Sequence, residues 1–110
     1  MAQATGSTKQ IIGILQTFGG LYWNPLDYTG PLSYVQGGDS IGATSFGFNN
    51  TIWALQGSVD QSNTYRAEPR PLNNGVTKWQ LVWISMATGL EAAAGANLSA
   101  YTVRLAAIGQ

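Results

Sequence analysis

Turn formers interrupt this chain at short intervals, and they come in clusters that neither a long helix nor a membrane span tolerates. The clusters are Gly19-Gly20, Asn24-Pro25, Gly30-Pro31, Gly37-Gly38, Asn49-Asn50, Asp60-Gln61-Ser62-Asn63 and Asn73-Asn74-Gly75. Between them lie short runs rich in β-branched and aromatic residues, the pattern of a sandwich or barrel. The 110 residues amount to one domain. The expected fold is therefore all-β, a single-domain sandwich or jelly-roll-like barrel of about seven to eight strands. It would span residues 10–110 behind a polar N-terminal arm, residues 1–9.

The individual runs can be read in order. Lys9–Phe18 reads as a first strand, and Leu21–Pro31, with its two X-Pro breaks, as a structured loop. Leu32–Gln36 reads as a short strand, and Ile41–Phe48 and Thr51–Val59 as a hairpin with Trp53, Leu55 and Val59 on one face. Thr64–Glu68 is a short strand that Pro69 and Pro71 end and, since proline cannot donate to a ladder, one that lies at a sheet edge. Val76–Ala87 has Trp79, Leu81 and Trp83 on one face and Val82, Ile84 and Met86 on the other. Such a strand lies between two layers. Trp53, Trp79 and Trp83 are accordingly assigned to the core. For the last third, a loop or single helical turn over 88–97 and a final strand Ser99–Ile108 is preferred. The alternative is an α+β fold with a C-terminal helix near 89–108, suggested by the Thr88…Glu91 capping box and by apolar residues at helical spacing.

Composition narrows the chemistry. Cysteine and histidine are absent, which removes thiolate catalysis, the commonest general base and the commonest metal ligands. Five Lys/Arg balance five Asp/Glu, so the chain lacks the basic footprint of nucleic-acid or anionic-membrane binding. Only 9% of residues are charged, against roughly 25% in an average domain. A surface with so little charge repulsion favours association. The start of the chain is polar and small, and the apolar residues Ile11, Ile12, Ile14 and Leu15 are interrupted by Gly13 and Gln16. That is not a signal-peptide pattern, so a cytoplasmic or virion assembly is the expected location.

No dinucleotide-binding or phosphate-binding glycine motif occurs. The acids Asp27, Asp39, Asp60, Glu68 and Glu91 are scattered singly, without the paired spacing that acid–base catalysis needs. No enzymatic activity, cofactor or metal is therefore expected. Two groups stand out as binding candidates. Tyr22, Trp23, Tyr28 and Tyr34 could build a sugar-stacking platform or an interface hot spot, with core filling the simpler role for Trp23. Arg66, Glu68 and Arg70 would share one side of an extended strand, as a strip pairing with carboxylates of another subunit or as charges that keep an edge soluble.

A small, neutral β domain with a Gly/Ala/Asn/Thr-rich surface and a polar arm has the profile of a non-enzymatic structural or assembly protein. A virion accessory such as a phage capsid decoration (cement) protein or short fibre module is the leading expectation. Its partners would be copies of itself and a larger protein shell, with no nucleic acid and no membrane. The arm would dock on a neighbouring subunit, because small polar residues alone cannot offset their ordering entropy. The alternative is a carbohydrate-binding module or lectin using the Tyr22–Tyr34 aromatics.

Overall fold

The structure is a computed structural model that describes residues 6–10, 16–18, 21–49, 51–72 and 78–110. It is all-β, with two antiparallel sheets facing each other across one core. The strands are β1 (Ser7–Gln10), β2 (Gln16–Phe18), β3 (Leu21–Thr29), β4 (Asp39–Gly42), β5 (Ile52–Gly57), β6 (Tyr65–Pro71), β7 (Lys78–Ser85) and β8 (Thr102–Gly109). One sheet runs β1-β3-β8-β5, with β2 also paired to β3, and the other runs β4-β7-β6. Neither sheet closes into a barrel.

The longest strand lies where the sequence reading placed a loop. Leu21–Thr29 is β3, between β8 on one side and β1 and β2 on the other. A proline inside a central strand is tolerated here because β1 ends opposite Leu26 and β2 begins opposite Trp23. Pro25 falls in the interval between them. The residue before a proline is pushed toward extended backbone, which suits a strand as well as a loop. Ser7–Gln10 pairs with Thr29–Leu26, so residues 7–9 of the expected arm belong to the domain's own sheet, and residues 1–5 lie outside the described part. The expected first strand, Lys9–Phe18, is represented by β1 and β2, with 11–15 also outside it.

Three further expectations are corrected. Leu32–Gln36 is irregular, because Tyr34 exchanges backbone hydrogen bonds with Gly95 and Ala96 and Gly37 and Gly38 turn the chain at φ of 103° and 112°. A Cβ at position 38 would also sit 2.8 Å from the Leu81 carbonyl oxygen, so only glycine fits. Ile41–Phe48 is not one strand. After β4 the chain makes one turn of 3-10 helix, Ala43–Phe46, which buries Ala43 and Phe46 together. Nor do these runs form a hairpin: Ile41 pairs with Trp79 and Ile52 with Gly109, in different sheets.

Other expectations hold. β6 is an edge strand as expected, but the prolines do not end it: it runs on to Pro71, with Pro69 opposite Leu81 and Pro71 opposite Trp79. β7 is the centre of its sheet, with Leu81, Val82, Trp83 and Ile84 all buried. The last third is loop followed by strand, not helix. β8 alternates buried Val103, Leu105, Ala107 and Gly109 with more exposed neighbours, and the Thr88 hydroxyl accepts the Leu90 N–H in a local turn.

The core joins both sheets. Leu26 and Tyr28 of β3, Ile52 and Leu55 of β5, and Val103, Leu105 and Ala107 of β8 face Ile41 of β4, Ala67 of β6, and Leu81 and Trp83 of β7. The Tyr28 and Trp83 rings lie 6.4 Å apart across the interface. At one flank the sheets touch through backbone, where the Ala67 N–H donates to the Ser58 carbonyl at 3.2 Å. A Cβ on Gly57 would come within 2.6 Å of the Ala67 carbonyl oxygen, which explains a glycine at the end of β5.

Candidate functional site

The strand directions bring three connections to one end of the sandwich. β3, β5 and β7 all run toward it, and β4, β6 and β8 start from it, so segments 30–38, 58–64 and 86–101 cluster there. These segments are tied together. The Leu98 N–H donates to the Pro31 carbonyl at 2.8 Å, the Met86 N–H to the Thr64 carbonyl at 2.9 Å, and the Gly30 N–H to the Tyr101 carbonyl at 3.0 Å. Glu91 Oε2 accepts both the Tyr34 hydroxyl and the Gly37 N–H, each at 2.7 Å.

Segment 58–64 is organised by Asp60, whose carboxylate accepts the backbone N–H groups of Ser62, Thr64 and Tyr65 and the Ser62 hydroxyl. Burial alone would push this carboxyl up, but the hydrogen bonds outweigh it and hold it below the usual carboxylate range.

This end is also apolar. Of the five large apolar residues exposed among the described ones, Leu32 (74%), Leu90 (68%), Met86 (45%) and Val59 (37%) lie on these three connections. Scattered exposed apolar residues are ordinary, whereas here four of the five fall on connections at one end of the sandwich.

Beside it, on the outer surface of the larger sheet, runs a trough of about 530 Å³ with mixed polar and apolar walls, lined by Asp27, Ser58, Val59, Gln61, Thr102, Val103 and Arg104. A second hollow of about 240 Å³ shares Thr102 and Gln61 with it and is also lined by Asp60, Ser62 and Ala100. Asp27 and Arg104 face each other across β3 and β8, with Nε to Oδ1 at 2.9 Å and Nη2 to Oδ2 at 3.5 Å. The pair raises the already high Arg104 guanidinium further. Thr29 and Thr102 hydroxyls lie 2.9 Å apart. The Ser58 hydroxyl accepts the Arg104 backbone N–H and donates weakly to the Val59 carbonyl.

No family model, no curated protein and no solved structure matches the chain.

The residues singled out in the sequence go to three places. Tyr28 and Tyr34 are in the core, their hydroxyls pushed up chiefly by burial. Tyr22 is half-buried and stacks on Phe48 at 6.5 Å, and Trp23 is half-buried on β3. No single exposed platform is formed by these four.

Arg66, Glu68 and Arg70 do share one side of edge strand β6, and Glu68 is paired with both arginines, at 2.6 Å to Arg70 and 3.8 Å to Arg66. The Arg70 hydrogen bond is the main reason the Glu68 carboxyl lies below its usual range. The strip is thus neutralised within the chain apart from one positive charge. Of the three tryptophans assigned to the core, Trp83 is fully buried and Trp79 half-buried, whereas Trp53 is 55% exposed. The register with β8 slips between Ile52 and Ala54, and Trp53 is the extra residue of that bulge.

The trough escaped the sequence reading because its central pair, Asp27 and Arg104, is 77 residues apart and carries no local signal. Among the described residues, no group of three or more His, Cys, Asp or Glu is arranged to hold a metal ion, and no helix is long and apolar enough to cross a membrane.

Proposed function

We propose that the protein is a non-enzymatic assembly module that associates with copies of itself and docks on a larger protein shell, as a phage capsid decoration protein or short fibre module does. The observation that carries this reading is the loop end, where Leu32, Val59, Met86 and Leu90 are exposed on connections held rigid by backbone hydrogen bonds. A preordered apolar surface loses little conformational freedom on binding, so its burial goes largely into affinity. The sparse charge of the chain works in the same direction.

The strand pairing supports a jelly-roll-like reading. β3 with β8 and β4 with β7 are nested antiparallel pairs, the arrangement produced when one long hairpin is rolled into two layers. β5 beside β8 and β6 beside β7 continue it. A full eight-stranded jelly roll would carry a further hairpin between the strands that here are β6 and β7, which six residues of sequence, 72–77, separate. The carbohydrate-module reading through Tyr22, Trp23, Tyr28 and Tyr34 stands second, since two of those rings are buried.

The test is the solution mass of the full chain beside that of a Leu32→Ser/Leu90→Ser variant. A wild-type dimer or trimer that the double substitution disperses, with unchanged thermal unfolding, supports the proposal. A wild-type monomer over the accessible concentration range contradicts it.

A further inference from the structure

Adjoining the apolar end, with which it shares Val59, the trough across Asp27, Arg104, Thr102, Ser58 and Gln61 has the make-up of a ligand site, and we infer that it binds a neutral saccharide. Its chemistry selects the class. Asp27 is an acceptor only and Arg104 a donor only, the Gln61 amide both donates and accepts, and the Thr102, Ser58 and Ser62 hydroxyls, bonded within the chain to Thr29, the Arg104 N–H and Asp60, keep lone-pair capacity to accept. Sugar hydroxyls also do both, and a vicinal pair can bridge a carboxylate and a guanidinium that already lie 2.9 Å apart.

Charge argues against an anionic ligand. Arg104 is compensated by Asp27, and the other charge in the trough, Asp60, is negative and saturated by backbone N–H groups. Exposed Val59 supplies an apolar wall for a C–H face of the ring. The walls are also positioned in advance. Thr102 and Arg104 stand on β8, Asp27 on β3, and the Ser58 hydroxyl is fixed on the Arg104 backbone N–H at 2.9 Å. The trough of about 530 Å³ lies next to a hollow of about 240 Å³ with which it shares Gln61 and Thr102, room on the scale of a small ligand site.

The experiment is an amide-resolved NMR titration of the full chain with maltotriose, cellotriose and chitotriose, and with inorganic phosphate as the charged control. The expected result is saturable shifts with at least one trisaccharide, centred on residues 58–62 and 102–104, and none with phosphate. Gln61→Ala and Thr102→Val, both exposed and outside the core, should each weaken that binding about tenfold, the loss of one hydrogen-bonding group. Gln56→Ala, on β5 away from the trough lining, should leave it unchanged. Saturation by phosphate alone, sugar-induced shifts mapping elsewhere, or no shift from any of the three sugars overturns the inference.

Discussion

Tyr28 of the larger sheet donates its hydroxyl to Asp39 of the smaller sheet at 3.1 Å, so a single hydrogen bond joins the two layers at the centre of the core. The same Asp39 oxygen receives the Trp83 indole N–H at 3.0 Å, and the Tyr28 oxygen accepts the Gly6 N–H at 2.7 Å. Gly6, Tyr28, Asp39 and Trp83 thus form one chain of bonds running from the N-terminal strand through both sheets. Asp39 is fully buried, and its second oxygen has no partner among the described residues.

That burial sets a pH dependence. Desolvation pushes the Asp39 carboxyl up to about 6, partly offset by the Trp83 and Tyr28 hydrogen bonds, against an ordinary value of 3.8. The folded state therefore holds the Asp39 proton more tightly than the unfolded state. The resulting stabilisation is full below the ordinary value and is lost as pH rises through 6, by about 3 kcal/mol. Asp60 and Glu68, whose carboxyls are lowered, lose stability in the opposite direction as pH falls below their ordinary range. Urea unfolding should show highest stability in mildly acidic solution, and Asp39→Asn should flatten the decline toward neutral pH. A wild-type stability that rises from pH 5 to pH 7.5 would refute the assignment.

The N-terminal strand has a testable role in the domain itself. Deleting residues 2–8 removes the Gly6–Tyr28 bond and the Ser7 and Thr8 positions of the β1–β3 ladder. At a net loss of about 1 kcal/mol, the thermal midpoint should fall by about 5 °C. An unchanged midpoint with weakened self-association would return the segment to the expected role of an arm that docks on a neighbour.

The tryptophans should separate cleanly. Trp83→Ala empties a fully buried site and leaves Asp39 short of a donor, so it should cost at least about 3 to 5 kcal/mol in denaturant unfolding. Trp53→Ser, on the bulge, should change stability by less than about 0.5 kcal/mol. Comparable losses at both positions would mean that the bulge does not turn Trp53 outward in solution.

The legible part of the fold was the part fixed by local chemistry. Pro69 and Pro71 announced an edge strand, and two-sided apolarity announced the central strand around Trp83. What escaped depends on partners distant in sequence. Pro25 looked like a strand breaker because nothing local reveals that β1 and β2 leave an interval opposite it. Trp53 looked buried because period-two counting cannot see a bulge that arises only from pairing with β8. Tyr28 and Tyr34 looked like a surface platform, yet their hydroxyls are satisfied inside by Asp39 and Glu91, whose acids had looked solitary. The apolar loop end and the Asp27–Arg104 trough were equally hidden, since each is assembled from segments that only the topology brings together.

Sedimentation equilibrium of the full chain, beside Leu32→Ser/Leu90→Ser, tests the central proposal most directly. The account predicts a wild-type dimer or trimer at micromolar concentration and a monomeric variant with the same thermal midpoint, because both side chains are exposed in the single chain. A wild-type monomer at every concentration, or an oligomer indifferent to the two substitutions, would contradict it.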